Sequence, residues 1–123
     1  MNVLLGVGGS DLSYRALDET LTRASETGDD LTVAVYEDED AADDVETVAR
    51  RVRERVEESG VEATIRRIEG SSPGSDLVNI AESEDFDRIV LGGGNRSPLG
   101  KIQLGSIVEF VLLNAQTPIT LIR

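Results

Sequence analysis

The sequence of 123 residues contains no cysteine and no histidine. The absence of cysteine excludes disulfide bonds, and without either residue type the usual zinc sites cannot form. The missing histidine also removes the commonest general base at neutral pH and the triads that are built on it. Enzyme classes that depend on these side chains are therefore excluded.

Long apolar segments are also missing. No apolar run approaches membrane-spanning length, and the N-terminus lacks the pattern of a signal peptide. The length is in the usual range for one domain, which buries roughly two thirds of its unfolded surface without a metal or disulfide. We therefore expect a single cytoplasmic domain over residues 1–123, with no membrane partner.

Basic residues are few, and lysine is nearly absent. The chain has 24 acidic against 12 basic residues, a formal net charge of -12, and Lys101 is its one lysine. Such a surface is unsuited to nucleic acid, whose phosphates require cations. Molar salt shortens the Debye length to about 3 Å and screens carboxylate repulsion, so the composition is typical of a halophile. An acidic face for one basic partner is the alternative, but carboxylates occur in nearly every segment, which favours the salt interpretation.

Short apolar runs alternate with stripes at helical spacing along the chain. The runs predict five strands, and the stripes predict four helices between them. This alternation predicts an α/β fold with a parallel sheet and right-handed crossovers. The third run alternates apolar and polar residues, which indicates a strand at the edge of the sheet. The predicted strands are 3–7, 31–36, 61–66, 88–91 and 119–122, and the helical stripes are 12–24, 45–56, 77–81 and 107–112.

A glycine-rich stretch, residues 92–106, connects the fourth strand to the last helix. Glycines let backbone N–H groups turn inward, and a helix N-terminus adds further N–H groups and a positive dipole. Arg96 and Lys101 supply cations in the same stretch. The pattern predicts an anion site, and a connection that only turns a corner has equal weight on physical grounds.

Other motif interpretations fit less well. The run from Gly6 to Asp11 begins like a dinucleotide fingerprint but places Asp11 where the third glycine is needed. Lys101 is followed by isoleucine and not by the hydroxyl residue of a P-loop. Ser10 has no histidine to activate it as a nucleophile. The sequence therefore predicts no catalytic residue and no metal site.

The chain resembles the universal stress protein family over essentially its whole length. ATP-binding members carry a glycine, two residues, a second glycine, nine residues, and then glycine with serine or threonine. This sequence has Gly92, then Asn95 at the second glycine, and after nine residues Gly105 and Ser106. The first turn, Val7-Gly8-Gly9-Ser10, is similar to the family's valine-aspartate-glycine-serine turn.

The resemblance implies a doubly wound, Rossmann-like sheet of the adenine-nucleotide alpha-hydrolase type, in strand order 3-2-1-4-5 with helices on both faces. It also implies that ATP or AMP, with magnesium, binds in the crevice where the strand order reverses. With the two cations included, the implied nucleotide-binding residues are Gly6, Val7, Gly8, Val35, Gly92, Asn95, Arg96, Lys101, Gly105 and Ser106.

Two positions depart from the family pattern. Gly8 replaces an aspartate that helps to hold the nucleotide, and Asn95 replaces a glycine. We therefore expect weak nucleotide binding that the paired substitutions Gly8→Asp and Asn95→Gly would strengthen.

The resemblance implies a non-enzymatic regulatory or stress-response protein, and a slow ATPase ranks last among the interpretations. The alternative is a scaffold of the same fold that binds no nucleotide and acts through protein contacts. The last strand, Ile119-Thr120-Leu121-Ile122, is an apolar edge. Because such edges invite pairing and relatives dimerise through this strand, we expect a homodimer.

Overall fold

The computed structural model describes residues 1–93 and 104–123 in full, and residues 95–96 and 102–103 by their backbone. Within these residues, five strands and four helices alternate, and two further strands form a short hairpin. The elements are β1 Asn2–Val7, α1 Asp11–Thr27, β2 Asp30–Val35, α2 Val45–Ser59, β3 Ala63–Arg67, α3 Pro73–Ser83, β4 Arg88–Gly92, β5 Asn95–Arg96, β6 Ile102–Gln103, α4 Ser106–Asn114 and β7 Ile119–Ile122.

The main sheet has the order β3-β2-β1-β4-β7, and all four of its pairings are parallel. This confirms the predicted α/β fold and the order 3-2-1-4-5, since β7 is the fifth long strand. β1 lies at the centre, where Gly6 pairs with Ala34 on one side and with Leu91 on the other.

The core consists of two layers, one on each face of the sheet. Alternate residues of β1 point to opposite faces, as the strand geometry requires. Val3, Leu5 and Val7 pack against α1 and α2. Leu4 packs on the opposite face, against α3 and α4. Burying each such side chain contributes about 1.5–3 kcal/mol, which explains why β1 is an uninterrupted apolar run.

The first two helices begin and end at residues that the sequence identifies. Ser10 Oγ accepts a hydrogen bond of 3.1 Å from the Ser13 N–H at the start of α1. Gly28 and Gly60, with φ of 74° and 72°, follow α1 and α2. Glycine is favoured at these left-handed positions because it has no Cβ. The residue types favour Ser10 or Ser13 as the N-cap of α1 and Gly60 as the C-cap of α2, and the structure has Ser10 and Gly60 at these positions.

The two edges of the sheet are β3 and β7, as predicted. β3 runs from Ala63 to Arg67 instead of 61–66, because the chain needs two residues after the cap at Gly60 to return to the sheet. The hairpin of β5 and β6 lies in the stretch interpreted as a loop. Strands of two residues are too short to produce a periodic signal. In the described parts of the chain, no helix is long and apolar enough to cross a membrane.

Candidate functional site

A cavity of about 380 Å³ lies at the carboxyl end of the sheet. The chain leaves β1 toward α1 on one face and leaves β4 toward α4 on the other, which makes this end a topological switch point. Three segments contribute to the lining: residues 37–40 after β2, residues 70–73 before α3, and Ser106 with Ile107 at the start of α4.

The N-terminus of α4 borders this cavity without a side-chain cap. Its N-cap is Gly105, and among the described residues no side chain makes a capping hydrogen bond there. Gly105 has an ordinary extended conformation, φ -66° and ψ 160°, and none of the described residues lies within 4 Å of the position its Cβ would take. Packing against the described residues therefore does not require glycine. Its effect is to leave the first N–H groups of α4 open to a ligand, where the helix dipole favours an anion.

The other helix at the cavity offers less to an anion. α3 begins with Pro73, which has no backbone N–H. Asp76 follows in its first turn and adds a negative charge near the helix start. Of the two helix starts that line the cavity, α4 is therefore the better anion site.

The turn after β1 is closed by protein side chains. A Cβ at Gly8 would lie 2.6 Å from Cε2 of Tyr36 and 3.0 Å from Cβ of Asp38. A Cβ at Gly6 would lie 3.2 Å from Cε1 of the same ring and 2.8 Å from Cδ2 of Leu91. Glycine at these two positions thus makes room for Tyr36.

Tyr36, which packs beside the first turn, is a residue that sequence reasoning missed. It is 3% exposed, and burial, with a smaller contribution from Asp38, raises the pKa of Tyr36 well above its usual value. The sequence did contain a signal for Tyr36. It is one of two tyrosines in the chain, and it directly follows β2, which lies beside the central strand β1. The paired substitutions Gly8→Asp and Asn95→Gly stay a prediction, and the contact distances add that the ring of Tyr36 would have to shift to admit the aspartate.

The second tyrosine anchors the acidic segment that follows β2. The Tyr14 hydroxyl donates a hydrogen bond of 2.7 Å to Asp43 Oδ2. The guanidinium groups of Arg51 and Arg55 lie 5.3 and 4.9 Å from the centre of the same ring. Burial, followed by the hydrogen bond to Asp43, raises the pKa of Tyr14 to about 12. A Cβ at Gly9 would lie 3.3 Å from Asp43 Cβ, so this network holds the acidic segment against the first turn.

Gly92 is glycine for a packing reason. A Cβ there would overlap the backbone carbonyl of Leu12 and lie 2.6 Å from the Ser13 nitrogen, in the first turn of α1. The next residue, Gly93, donates its N–H to Ile122 O at 2.9 Å and so ties β4 to the edge strand. The first glycine of the loop motif therefore brings β4 close to α1.

The predicted site residues other than Gly6, Gly8 and Gly92 fall into three groups. Ser106 lines the cavity, and Gly105 precedes it at the exposed helix start. Val7 and Val35 are buried in the core against α1 and α2, and they pair with each other across β1 and β2. Lys101 lies outside the described residues, and so do the side chains of Asn95 and Arg96. In the described part of the chain, no group of three or more acidic side chains is arranged to hold a metal ion.

The strand order and the crevice define a doubly wound, Rossmann-like α/β protein. Residues 1–123 match the family described as the universal stress protein family. The chain belongs to that family.

Three related proteins support this family assignment, and the share of the chain that each one matches differs. A universal stress protein of Methanocaldococcus jannaschii is 34% identical over 74 residues, which span 60% of this chain and 43% of the relative. One of Mycolicibacterium smegmatis is 31% identical over 72 residues, which span 58% of this chain and 55% of the relative. The chain thus spans about half the length of these two relatives. A universal stress protein of Bacillus subtilis is 26% identical and aligns over 98% of this chain and 97% of its own.

Solved structures show the same fold. A universal stress protein of Archaeoglobus fulgidus has a TM-score of 0.80 at 24% identity, covering 100% of this chain and 98% of that one. A structure from the same organism in complex with dAMP has a TM-score of 0.73 at 21% identity, with the same coverage. A universal stress protein in complex with cAMP has a TM-score of 0.72 at 24% identity, covering 100% and 97%.

Proposed function

We propose that this universal stress protein is a regulatory, stress-response protein that binds an adenine nucleotide, ATP or AMP with magnesium, in the crevice at the carboxyl end of the sheet. The observation that carries the proposal is the uncapped start of α4 at Gly105 and Ser106, which borders the cavity. A phosphate group fits that position because it would accept hydrogen bonds from the first N–H groups of the helix. The related structures with dAMP and cAMP support an adenine nucleotide as the source of the phosphate.

The role is proposed to be binding without catalysis. The chain has no histidine, so a base for hydrolysis would have to be one of its many solvated carboxylates. We expect the release of phosphate from ATP to stay at the background rate in the presence of magnesium. Phosphate release that saturates with ATP and disappears in a variant of Ser106 would contradict this part of the proposal.

Binding is tested by calorimetric titration of AMP and of ATP with magnesium, in molar potassium chloride. The informative variant is Gly105→Asp, because an aspartate at this position caps the helix and also places a carboxylate where the phosphate would bind. We expect at least tenfold weaker binding with an unchanged or higher unfolding temperature. The control Asn79→Asp adds the same charge on an exposed position of α3 away from the cavity.

The alternative function, a scaffold that acts through protein contacts, makes the opposite prediction. In that case neither nucleotide binds the parent protein below millimolar concentration. If the parent and the Gly105→Asp variant bind a nucleotide equally well, the nucleotide does not bind at the start of α4.

We further propose that the protein forms a homodimer through β7. Residues 119–122 are apolar or small, all four are only half-buried, and β7 is an outer strand of the sheet. Pairing with a second β7 across a two-fold axis would cover this edge. Light scattering should show that Leu121→Lys gives a monomer, while Thr64→Lys, at the opposite edge, leaves the dimer intact. A monomeric parent protein at micromolar concentration in high salt would contradict the proposal.

The acidic composition supports a cytoplasm of high salt concentration as the setting. Residues 37–40 are four consecutive acidic residues, and three of them are exposed. Repulsion within such segments weakens the fold in dilute buffer and is screened in molar salt. The unfolding temperature should therefore rise steadily from low to molar potassium chloride. A flat response would favour an acidic face for one basic partner.

A further inference from the structure

The cavity proposed to hold the nucleotide has opposite electrostatic character at its two sides. The side formed by the chain after β2 carries Glu37, Asp38, Glu39 and Asp40, which all line the cavity. The side formed by α4 presents the uncapped helix start at Ser106, where the dipole is positive. None of the described residues that line the cavity is basic.

The acidic side is held in place by the protein itself. Asp40 donates its N–H to Asp38 Oδ1 at 3.0 Å, and Ala41 donates its N–H to Asp38 O at 3.0 Å. The same segment is anchored further along by Asp43, which accepts the hydrogen bond from Tyr14. These contacts hold the backbone of the turn and the Asp38 carboxylate in place, so the segment keeps its carboxylates at this side of the cavity.

We infer, on the basis of the proposed function, that this crevice selects nucleoside monophosphates, linear or cyclic, over nucleoside triphosphates. One phosphate can accept hydrogen bonds from the first N–H groups of α4. Each further phosphate adds negative charge within the same 380 Å³ that holds four carboxylates. At 0.5 M salt the Debye length is about 4 Å, so the repulsion between neighbouring phosphates and carboxylates in the cavity is only partly screened.

The test compares AMP, cAMP and ATP by calorimetric titration without magnesium, at 0.5 M and 3 M potassium chloride. We expect AMP to bind at least tenfold more tightly than ATP at 0.5 M. The difference should shrink at 3 M, where screening is stronger. It should also shrink when magnesium is added, because the metal neutralises part of the triphosphate charge.

A pair of variants locates the effect. The triple change Glu37→Gln, Glu39→Gln and Asp40→Asn neutralises the cavity and spares Asp38, which organises the turn. It should raise the affinity for ATP more than the affinity for AMP and so narrow the difference. The control neutralises three exposed glutamates of α2 with Glu54→Gln, Glu57→Gln and Glu58→Gln and should leave the difference unchanged.

The outcomes separate this inference from the function on which it rests. Equal binding of ATP and AMP at 0.5 M overturns the selection and leaves nucleotide binding intact. The selection is also overturned if the control narrows the difference as much as the triple change, because the net charge of the whole protein then explains it. If no nucleotide binds, the proposed function fails and the selection fails with it.

Discussion

The turn after β1 and the turn before α4 both contain glycine at the carboxyl end of the sheet, and the two can be compared directly. At Gly8 a Cβ would meet Tyr36 and Asp38, whereas at Gly105 a Cβ would meet none of the described residues within 4 Å. In the first turn, glycine makes room for the protein's own side chains. In the second, it leaves a helix start open. A motif glycine thus argues for a ligand only where packing does not already require it.

The same criterion separates the two ends of the long loop. Gly92 and Gly105 both belong to the motif shared with the family, but among the described residues Gly92 is in close contact with another backbone and Gly105 is not. β4 approaches the first turn of α1 so closely at Gly92 that no side chain fits. The three glycines therefore predict three different responses to the addition of a single methyl group.

The largest effect is expected from Gly92→Ala. Its Cβ would overlap the Leu12 carbonyl, and a helix backbone cannot shift as easily as a flexible side chain. We expect the free energy of unfolding to fall by about 3 kcal/mol or more, measured by urea titration in molar salt. Gly105→Ala is the matched control and should cost about 0.5 kcal/mol. Similar costs at the two positions would contradict the comparison.

An intermediate effect is expected from Gly8→Ala. The new methyl group would collide with the ring of Tyr36, at a cost of about 2 kcal/mol in the free energy of unfolding. Tyr36→Ala costs more by itself, since it empties a buried site. The informative quantity is therefore the coupling between the two changes: in the Tyr36→Ala background, Gly8→Ala should cost almost nothing. Additive costs would show that Tyr36 is not what closes the first turn.

Apart from the control Gly105→Ala, the smallest effect at neutral pH is expected from Tyr14→Phe. It removes the hydrogen bond to Asp43 and should cost about 1 kcal/mol. The pKa of Tyr14 is about 12 in the folded protein and 10 in the unfolded chain. As the pH rises, the unfolded chain therefore loses the Tyr14 proton before the folded protein does. The contribution of the protonated Tyr14 hydroxyl to the free energy of unfolding is complete below pH 10 and is lost as the pH rises to about 12.

The pH dependence of unfolding in molar salt tests this prediction. The parent protein should lose stability more steeply than Tyr14→Phe between pH 10 and 12. The Tyr14→Phe variant should still lose some stability as the pH rises, because burial also raises the pKa of Tyr36. Parallel curves for the two proteins would show that the Tyr14 hydroxyl is not coupled to folding.

The elements were predictable because their signals are local. The stripe of Val48, Val52 and Val56 on α2 repeats every four residues, and these side chains are buried as that spacing predicts. The caps at Ser10 and Gly60 depend on conformation within a few residues. The hairpin of β5 and β6 was not predictable, because each strand has two residues and no periodicity.

By itself, the sequence determined the five long strands, the four helices between them and an acidic surface, since each follows from composition or from neighbours a few residues apart. Only the tertiary structure decided at which glycines other residues occupy the space a Cβ would need, and at which glycine that space is free of the described residues. Gly8 meets Tyr36, Tyr14 meets Asp43, and Gly92 meets the first turn of α1. These partners are 28, 29 and about 80 positions apart along the chain. They meet because parallel strands with crossovers on both faces bring distant turns to the same end of the sheet.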